Sequence, residues 1–367
     1  MNQWKEYKLG EIVKFGNGKE RPKSGGSIPI FGGNGILGYS DRSNYDGEVI
    51  VIGRVGAYCG SVYYENRPVW VSDNALVAKP KNEFNTKFLY YFLKNLKLNE
   101  YAEGSSHPLV TQSLLGSIEV CITDNEPEQR AIASILSSLD DKIDLLHRQN
   151  ATLEALAETL FRQWFVEEAE ESWEKGRLGD FVELNPKRTL KGGSVAPYLE
   201  MSNVSNQVYH PDNWYDREFS SGTKFINGDT LLARITPCLE NGKSAYVDFL
   251  ENEQVGWGST EYIVMRPKPF LHTFFSYVLT RNEDFRSYAI ASMVGSSGRQ
   301  RVDINSLADY EISLPTHETI EKFNSFCEDS LQKMKHNHIE IRTLTQLRDT
   351  LLPKLMSGEV RVGESSN

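Results

Sequence analysis

The feature of this sequence that most restricts its fold is an internal duplication, which runs through nearly all of the 367 residues. Five pairs of segments carry it: residues 4–13 with 173–182, 47–54 with 228–234, 72–79 with 259–266, 104–106 with 295–297, and 115–122 with 307–314. Repeated segments of this length indicate repeated structural units. Each copy ends in a long helical pattern, so the predicted order is domain, helix, domain, helix.

The first helical pattern, residues 126–168, opens with clear start signals. Asn125 suits the N-cap, Pro127 falls in the first turn, and the nearby carboxylates suit the positive end of the helix dipole. One row then alternates spacings of four and three, as in a coiled-coil seam: Ile132, Leu136, Leu139, Ile143, Leu146, Asn150, Leu153, Ala157, Leu160 and Trp164. Asn150 either fixes the register of the seam, at a cost in stability, or is simply partly solvated.

The second helical pattern, residues 316–357, has a weaker seam because Ser330, Asn337 and Arg348 interrupt its apolar row. It lacks the Pro-x-Gln opening of residues 127–129, and Pro353 should kink or end it. We expect the two helices to pack on one another. About forty residues at 1.5 Å each span about 60 Å, which would make the pair a rigid spacer.

Outside the helices, short β-rich runs bounded by Gly, Asn, Asp and Pro are typical of half-buried strands. They include residues 49–52, 61–64, 230–233 and 262–265, whereas 84–98 and 270–289 have helical patterns. The predicted fold class is α+β, with two tandem-duplicated domains separated by two long antiparallel coiled-coil-like helices in a pseudo-two-fold arrangement. The predicted boundaries are domains 1–125 and 171–315, helices 126–170 and 316–357, and a tail at 358–367.

The net charge of −10 argues at first against nucleic acid, since DNA affinity depends on cations that neutralise phosphates. The acidity is concentrated, however, because residues 123–172 alone carry a net charge of −8. The first domain carries +2 over residues 1–122 and the second carries −3 over residues 173–315. Both domains remain able to meet DNA, although tight DNA binding by this chain alone would be unexpected.

Other classes of protein are disfavoured by composition. No window reaches the length of apolar sequence that a membrane span needs, and the first residues lack the order of a secretory signal, so we expect a cytoplasmic protein. The four cysteines form no CxxC pattern and have no nearby histidine pair, which indicates neither a zinc site nor a disulfide framework. We expect all four to be small buried residues.

Three local motifs suggest enzymatic chemistry, but each lacks its context. Residues 33–38 fit GxGxxG, yet turn-forming residues follow where a dinucleotide site needs a helix. A plain turn or a DNA-facing loop is the better interpretation. Residues 185–187 lack the second proline and aromatic ring of an adenine methyltransferase motif, and Pro211-Asp212 has no Glu-x-Lys within reach to complete a nuclease motif.

In combination, several further motifs resemble the specificity subunits of type I restriction-modification systems, over essentially the whole chain. These motifs lie at residues 9–12, 127–129, 228–234 with Thr236-Pro237, 256–261 and 347–360. The resemblance implies two target-recognition domains, each reading one half of a bipartite double-stranded DNA site, with helices that set the unread spacer. The main alternative is an autonomous sequence-specific DNA-binding regulator, which would bind tightly by itself.

The resemblance also implies a non-catalytic chain with catalytic partners. Two modification methyltransferase subunits would dock against the helices, and restriction endonuclease and translocase subunits would complete the assembly. S-adenosylmethionine, ATP and magnesium would bind those partners, and no cofactor is expected in this chain. We expect partner docking at Leu139, Leu146, Asn150, Leu153, Leu160, Trp164, Phe165, Leu344, Leu351 and Leu355.

The leading candidates for reading DNA are Arg299, Gln300 and Arg301, which follow small residues and could bond to guanine or adenine edges. Solvated surface arginines are the alternative. The first copy has His107 at this place, so the two halves should read different bases. Adenines could then be flipped into a partner's pocket.

Further candidates are phosphate or loop contacts. Arg54 and Arg234 each follow a predicted strand and suit either a phosphate contact or an internal salt bridge. The remaining DNA-binding candidates are Lys19, Arg21, Lys23, Asn34, Ser105, Ser106, Lys187, Arg188, Lys191, Lys243, Ser296 and Ser297. Trp214, Tyr215 and Trp257 could stack on bases, but core packing is the expected role.

Overall fold

The computed structural model describes residues 4–23, 25–81, 83–104, 107–169, 173–251, 253–296 and 298–362. The chain forms two compact units. Unit 1 comprises Met1–Asp144 with Arg342–Asn367, and unit 2 comprises Leu145–Ile341. Both divisions fall inside the long helices, because each end of the helix pair packs on its own globular part. This division does not test the domain limits predicted at 125/126 and 315/316, which remain a proposal.

Unit 1 contains nine strands among the described residues: β1 (Trp4–Lys8), β2 (Val13–Asn17), β3 (Ile28–Gly32), β4 (Gly35–Ser40), β5 (Val49–Gly53), β6 (Val62–Glu65), β7 (Trp70–Val71), β8 (Ala75–Pro80) and β9 (Glu119–Thr123). Its helices are α1 (Leu9–Ile12), α2 (Thr86–Asn95), α3 (Gln112–Ser117) and the start of α4 (Glu126–Phe161). The strands form sheets in the orders β2-β8-β5-β6, β4-β3-β7 and β1-β9.

Unit 2 repeats this plan. Its strands are β10 (Glu174–Arg177), β11 (Val182–Leu184), β12 (Val195–Leu199), β13 (Tyr215–Glu218), β14 (Thr223–Phe225), β15 (Thr230–Ala233), β16 (Ser244–Tyr246), β17 (Gly256–Gly258), β18 (Tyr262–Pro267), β19 (Met293–Val294), β20 (Arg301–Val302) and β21 (Glu311–Leu314). The orders β11-β18-β15-β16, β13-β12-β17-β14 and β10-β21 match those of unit 1, with β14 and the small β19-β20 sheet added. The predicted duplication is confirmed.

The helices of unit 2 are α5 (Leu178–Phe181), α6 (Phe275–Arg281), α7 (Glu283–Ala291), α8 (Ile304–Ala308) and most of α9 (His317–Ser357). One helix was expected over residues 270–289, but Asn282 divides it in two. The Asn282 side chain accepts a hydrogen bond from Phe285 N, so this residue ends α6 and caps α7. The α+β prediction is confirmed.

The long helices begin where the sequence predicted. Asn125 Oδ1 accepts a hydrogen bond from Glu128 N at 3.2 Å, which makes it the N-cap of α4. A π-helical turn, Arg162–Glu167, extends α4 at its end. Helix α9 continues through Pro353 to Ser357, so of the two outcomes expected at Pro353, a kink or an end of the helix, the end is wrong. Leu355 and Met356, both 2% exposed, anchor this last turn in the core of unit 1.

Within each unit the two helices pack antiparallel. In unit 1, Arg348 Nη1 on α9 donates to Asp140 Oδ1 on α4 at 2.8 Å. In unit 2, Asn337 Nδ2 donates to Asn150 Oδ1 at 2.8 Å, and both side chains are buried. Asn150 is therefore paired across the seam, as expected of a residue that fixes register, and it is not partly solvated.

The Pro-x-Gln opening of α4 has a structural role in unit 1. Gln129 Nε2 donates to Thr123 O, and Gln129 Oε1 accepts from Asn85 N, each at 2.8 Å. In unit 2, Asn324 supplies the equivalent acceptor for His272 N, also at 2.8 Å. A residue one turn further along α9 thus compensates for the Pro-x-Gln sequence that the second copy lacks.

Two expectations from composition have mixed outcomes. Cys59 and Cys327 are buried, but Cys121 is exposed and Cys238 is half-buried. The expectation that all four cysteines are buried is therefore wrong. Cys121 lies on the outward face of β9, where buried and exposed residues alternate. Among the described residues, no helix is long and apolar enough to cross a membrane.

The Asn150–Asn337 pair gives a first testable prediction. Changing Asn337 to leucine should lower the free energy of unfolding by about 1–3 kcal/mol, because Asn150 Oδ1 would stay buried without this donor. Urea unfolding of the whole chain, followed by circular dichroism, measures this loss. The double change of both residues to leucine is the control and should recover most of it. A double variant no more stable than the single one would contradict the pairing.

Candidate nucleic-acid interface

In unit 1, one loop is fixed against the end of strand β5. Arg54 follows that strand directly, and its carbonyl oxygen accepts from Val110 N at 3.0 Å. Gly56 N donates to Pro108 O at 3.0 Å, and a β-bridge joins Val55 to Leu109. The loop that carries the exposed His107 is therefore held beside Arg54.

The hairpin between β3 and β4 lies at the same end of the sheet. A Cβ atom on Gly33 would lie 3.6 Å from Asn74 O and 3.7 Å from Val55 O. Gly35 has a φ of +76°, which a tight turn between two strands accommodates, and a strand follows where a cofactor fingerprint needs a helix. Residues 33–38 therefore lack the context of a dinucleotide site, and Asn34 is exposed at the turn. Whether this hairpin faces DNA stays a prediction.

Two cations adjoin this hairpin. Arg21 Nη2 donates to Leu37 O at 2.7 Å, and Lys19 N donates to Val71 O at 2.9 Å. Both side chains are exposed, as is that of Lys23. We call the set Lys19, Arg21, Asn34, Arg54 and His107 the unit 1 loop cluster.

Exposed apolar side chains that were not predicted from the sequence lie in the segments that carry the unit 1 loop cluster. Ile36, Tyr39 and Tyr58 are 46%, 51% and 50% exposed. In the sequence, Ile36 and Leu37 stand between Gly35 and Gly38. This short apolar pair in a turn-rich segment is the signal that could have predicted exposed apolar side chains here. Such side chains can contact thymine methyl groups or base faces.

Unit 2 repeats the same backbone frame. Arg234 follows β15, its carbonyl oxygen accepts from Val302 N at 2.9 Å, and Thr236 N donates to Gln300 O at 3.1 Å. A β-bridge joins Ile235 to Arg301. Arg299 is exposed at this loop. We call Arg234, Arg299, Gln300 and Arg301 the unit 2 loop cluster.

The two clusters share a frame but differ in side chains. Arg54 N donates to Asn74 O at 3.0 Å, and Arg234 N donates to Glu261 O at 2.9 Å, so Asn74 matches Glu261. By the same frame, Leu109 matches Arg301. Only the unit 2 residues of these two pairs can form an ion pair, and Arg301 does bond to Glu261.

Arg54 and Arg234 resemble each other in a further respect. Each has a buried Nε without a hydrogen-bond partner among the described residues, and Arg234 Nη2 donates to Val302 O at 3.0 Å. Neither forms an ion pair in that part of the chain. The salt-bridge alternative is thus not supported, while the phosphate contact stays a prediction.

Other candidates from the sequence lie elsewhere. Arg188 Nη2 lies 3.3 Å from Oδ1 of the fully buried Asp229, which Arg266 also contacts at 2.6 Å. Asp229 precedes β15 and Arg234 follows it, so Arg188 belongs to the opposite end of that strand. The DNA-binding interpretation of Arg188 needs correction, because its charge neutralises a buried carboxylate.

The remaining candidates are divided. Lys243 is also engaged internally, with Nζ donating to Met201 O at 2.8 Å. Lys187, Lys191 and Ser296 are exposed. Ser105, Ser106 and Ser297 lie outside the described residues.

The aromatic residues named from the sequence are mostly structural. Trp257 is 2% exposed, and its Nε1 donates to Arg217 O at 3.3 Å. Trp214 packs on Phe249 with ring centroids 4.3 Å apart. Tyr215 is 40% exposed and donates to Glu200 Oε1 at 2.6 Å. Core packing is confirmed for Trp257.

The predicted docking residues also need correction. Four of them are buried inside this chain: Leu146, Asn150, Phe165 and Leu355. Four are half-buried and pack against the same cores: Leu153, Leu160, Trp164 and Leu351. Leu139 and Leu344 are half-buried as well. A heptad pattern marks the face that becomes buried, and here this chain's own helices and domains bury it.

The described residues hold no group of three or more His, Cys, Asp or Glu side chains placed to bind a metal ion. The two loop clusters instead offer hydrogen-bond donors, cations and apolar edges. This is the chemistry of base and phosphate contacts.

Comparison with known proteins gives a consistent result. Residues 1–155 and 170–342 match the family model described as the type I restriction modification DNA specificity domain. Over 319 residues the chain is 27% identical to the type I restriction enzyme MjaIX specificity subunit of Methanocaldococcus jannaschii, covering 78% of this chain and 71% of that protein. It is 22% identical over 374 residues to the HindI specificity subunit of Haemophilus influenzae, covering 79% and 81%.

A solved structure shares the fold. The crystal structure of a type I restriction-modification system S subunit from M. genitalium aligns with a TM-score of 0.64 at 19% identity. The alignment covers 96% of each chain. At this identity the likeness concerns the fold alone.

Proposed function

The chain belongs to the type I restriction modification DNA specificity family, and from this we propose that its two loop clusters read the two halves of a divided duplex site. Members of this family recognise DNA sequence within type I systems, and catalysis belongs to other subunits. The observation that carries the proposal is the shared backbone frame with different side chains. One frame presents His107 and the other presents Arg299, so each unit can read its own bases.

The loop clusters suit groove recognition. Exposed Lys19 and Arg21 can contact phosphates, whereas Asn34 and Arg299 have the donors to read base edges. Tight binding without partners is not expected, because the net charge of the chain is −10. This argues against the autonomous regulator.

We further propose that two methyltransferase subunits, with or without restriction subunits, dock on outward-facing parts of the helices. In unit 2, Leu145 and Leu156 are 42% and 45% exposed, and in unit 1, Leu347 is 44% exposed. S-adenosylmethionine, ATP and magnesium would be bound by those subunits. The exposed leucines replace the buried seam as the proposed docking positions.

Co-expression with an adenine methyltransferase subunit from the same genome, followed by long-read mapping of methyladenine, tests the proposal. A split motif with a fixed unread gap should appear only when this chain is present. Arg299→Ala should relax one half of the motif, since a bidentate base contact contributes about 1–3 kcal/mol of discrimination. His107→Ala is the matched variant and should change the other half.

Two results would contradict the proposal. Binding of the chain alone to a short contiguous site, with no co-purifying partner, would favour the regulator. Relaxation of the same half by both variants would show that the two clusters do not read separate halves.

A further inference from the structure

The ion pair between Glu261 and Arg301 has a rigid backbone on both sides. Glu261 directly precedes β18, its N–H donates to Ser259 Oγ at 3.1 Å, and its carbonyl oxygen accepts from Arg234 N. Arg301 begins β20, pairs with Val294 of β19 and is bridged to Ile235. Neither residue can move far without breaking these bonds.

The bonds within the pair use one side of the guanidinium. Arg301 Nε donates to both Glu261 oxygens, at 3.0 and 2.9 Å, and Nη2 donates to Oε1 at 2.6 Å. Nη1 has a long contact of 3.5 Å to Arg299 O. Each Nη nitrogen carries two hydrogens and these contacts use at most one from each, so Nη1 and Nη2 each retain a donor for another partner. The Arg301 side chain as a whole is 43% exposed.

The fold does not require this pair. Unit 1 has Asn74 and Leu109 at the matching positions, and it forms the same frame without an ion pair there. Partly exposed ion pairs also contribute little to stability, about 0–1 kcal/mol. A role in recognition accounts for the fixed orientation of the Arg301 guanidinium better than a role in folding.

We propose that Arg301 reads a guanine in the half-site met by unit 2, and that Glu261 is a positioning residue that orients the guanidinium. Guanine presents O6 and N7 as adjacent acceptors in the major groove, which match two donors on one edge of an arginine. Leu109 in unit 1 has no such donors, so the corresponding position of the other half-site should differ. This inference rests on the proposed function.

The test uses the complete chain co-expressed with its methyltransferase subunit, with methyladenine mapping as the readout. Arg301→Lys keeps the charge but removes the two-donor edge. It should reduce the preference for one guanine in one half-site by about 5- to 150-fold. Glu261→Gln should weaken the preference at the same position by less, because it removes the charge that holds the fork.

Arg177→Lys is the matched control, because Arg177 forms a similar surface pair with Asp309 at 2.8 Å in the same unit. It should leave the motif unchanged. Thermal unfolding of each variant separates a loss of reading from a loss of folding, and all three should melt close to the unaltered chain.

The outcomes are distinct. A split motif whose guanines survive in both Arg301→Lys and Glu261→Gln would overturn this inference and leave the proposed function intact. Equal weakening of both half-sites by these variants would also overturn it, since that indicates a merely structural role. Absence of any split motif with the unaltered chain would overturn the proposed function and this inference together.

Discussion

Replacing Phe323 with alanine is expected to lower the free energy of unfolding of unit 2 by about 3–5 kcal/mol. Phe323 lies on α9 and is fully buried. Its ring centroid is 5.1 Å from that of Phe165, 6.3 Å from Phe161 and 6.4 Å from Phe275. These rings come from both long helices and from α6, so the substitution would leave a cavity where helices and domain meet.

Chemical unfolding of the whole chain, with hydrogen exchange to assign the loss, measures this effect. Protection should fall in unit 2, and the amides of unit 1 should be less affected. Phe326→Ala is the matched control on the same helix, because Phe326 is half-buried and should lose less stability. A loss below 1 kcal/mol for Phe323→Ala, or equal losses for both variants, would refute the assignment of this cluster as the core.

The architecture could be predicted from local signals in the sequence. Asn125 and the carboxylates after it determine where α4 starts, and the duplicated strand patterns give the order of elements. The seam at Asn150 was also predictable, because a polar residue in a regular heptad row has few roles. These features depend on neighbours in sequence, which periodicity reports directly.

Contacts between distant residues account for what could not be predicted. Lys19 and Arg188 occupy similar places in the two copies, yet Lys19 stays at the loop cluster whereas Arg188 bonds to the buried Asp229. Asn185, with a φ of 50°, turns the chain shortly before Arg188. No local pattern announces the buried carboxylate that attracts this arginine.

Contacts between distant residues also limited what could be predicted about the candidate site. The pairing of Arg301 with Glu261 joins residues 40 positions apart, and nothing in either segment alone predicts it. The prediction that partners dock at the helix seam failed for a different reason. Periodicity shows which face of a helix is buried, but not whether the same chain or a partner covers it. The leucines that remain exposed, such as Leu156, fall outside the heptad row.

The stability of unit 2 is expected to depend on pH through Glu154. This α4 residue is 5% exposed; its Oε2 accepts from Tyr209 N and Tyr277 OH, each at 3.0 Å, while Oε1 has no partner among the described residues. Burial raises the pKa of Glu154 to about 7 from 4.5. The folded chain then binds this proton more tightly than the unfolded chain. The stabilisation it gives is present below pH 4.5 and is lost as the pH rises through 7.

Glu154→Gln should remove this dependence, because glutamine does not ionise and its amide oxygen can still accept from Tyr209. Relative to the unaltered chain, the variant should gain about 3 kcal/mol of unfolding free energy between pH 4 and pH 8. The difference between the two proteins is the quantity to measure, by urea unfolding at each pH.

That difference isolates Glu154 from a second buried group with the opposite effect. Burial lowers the pKa of His338 to about 3, so its contribution to stability is lost as the pH falls below 6.5. This loss occurs equally in both proteins and cancels. Glu167→Gln is the matched control, because this carboxylate near the end of the same helix is 61% exposed and pairs with Arg162; it should leave the pH dependence unchanged. A pH dependence that persists unchanged in Glu154→Gln would show that the buried carboxylate is ionised in the folded chain.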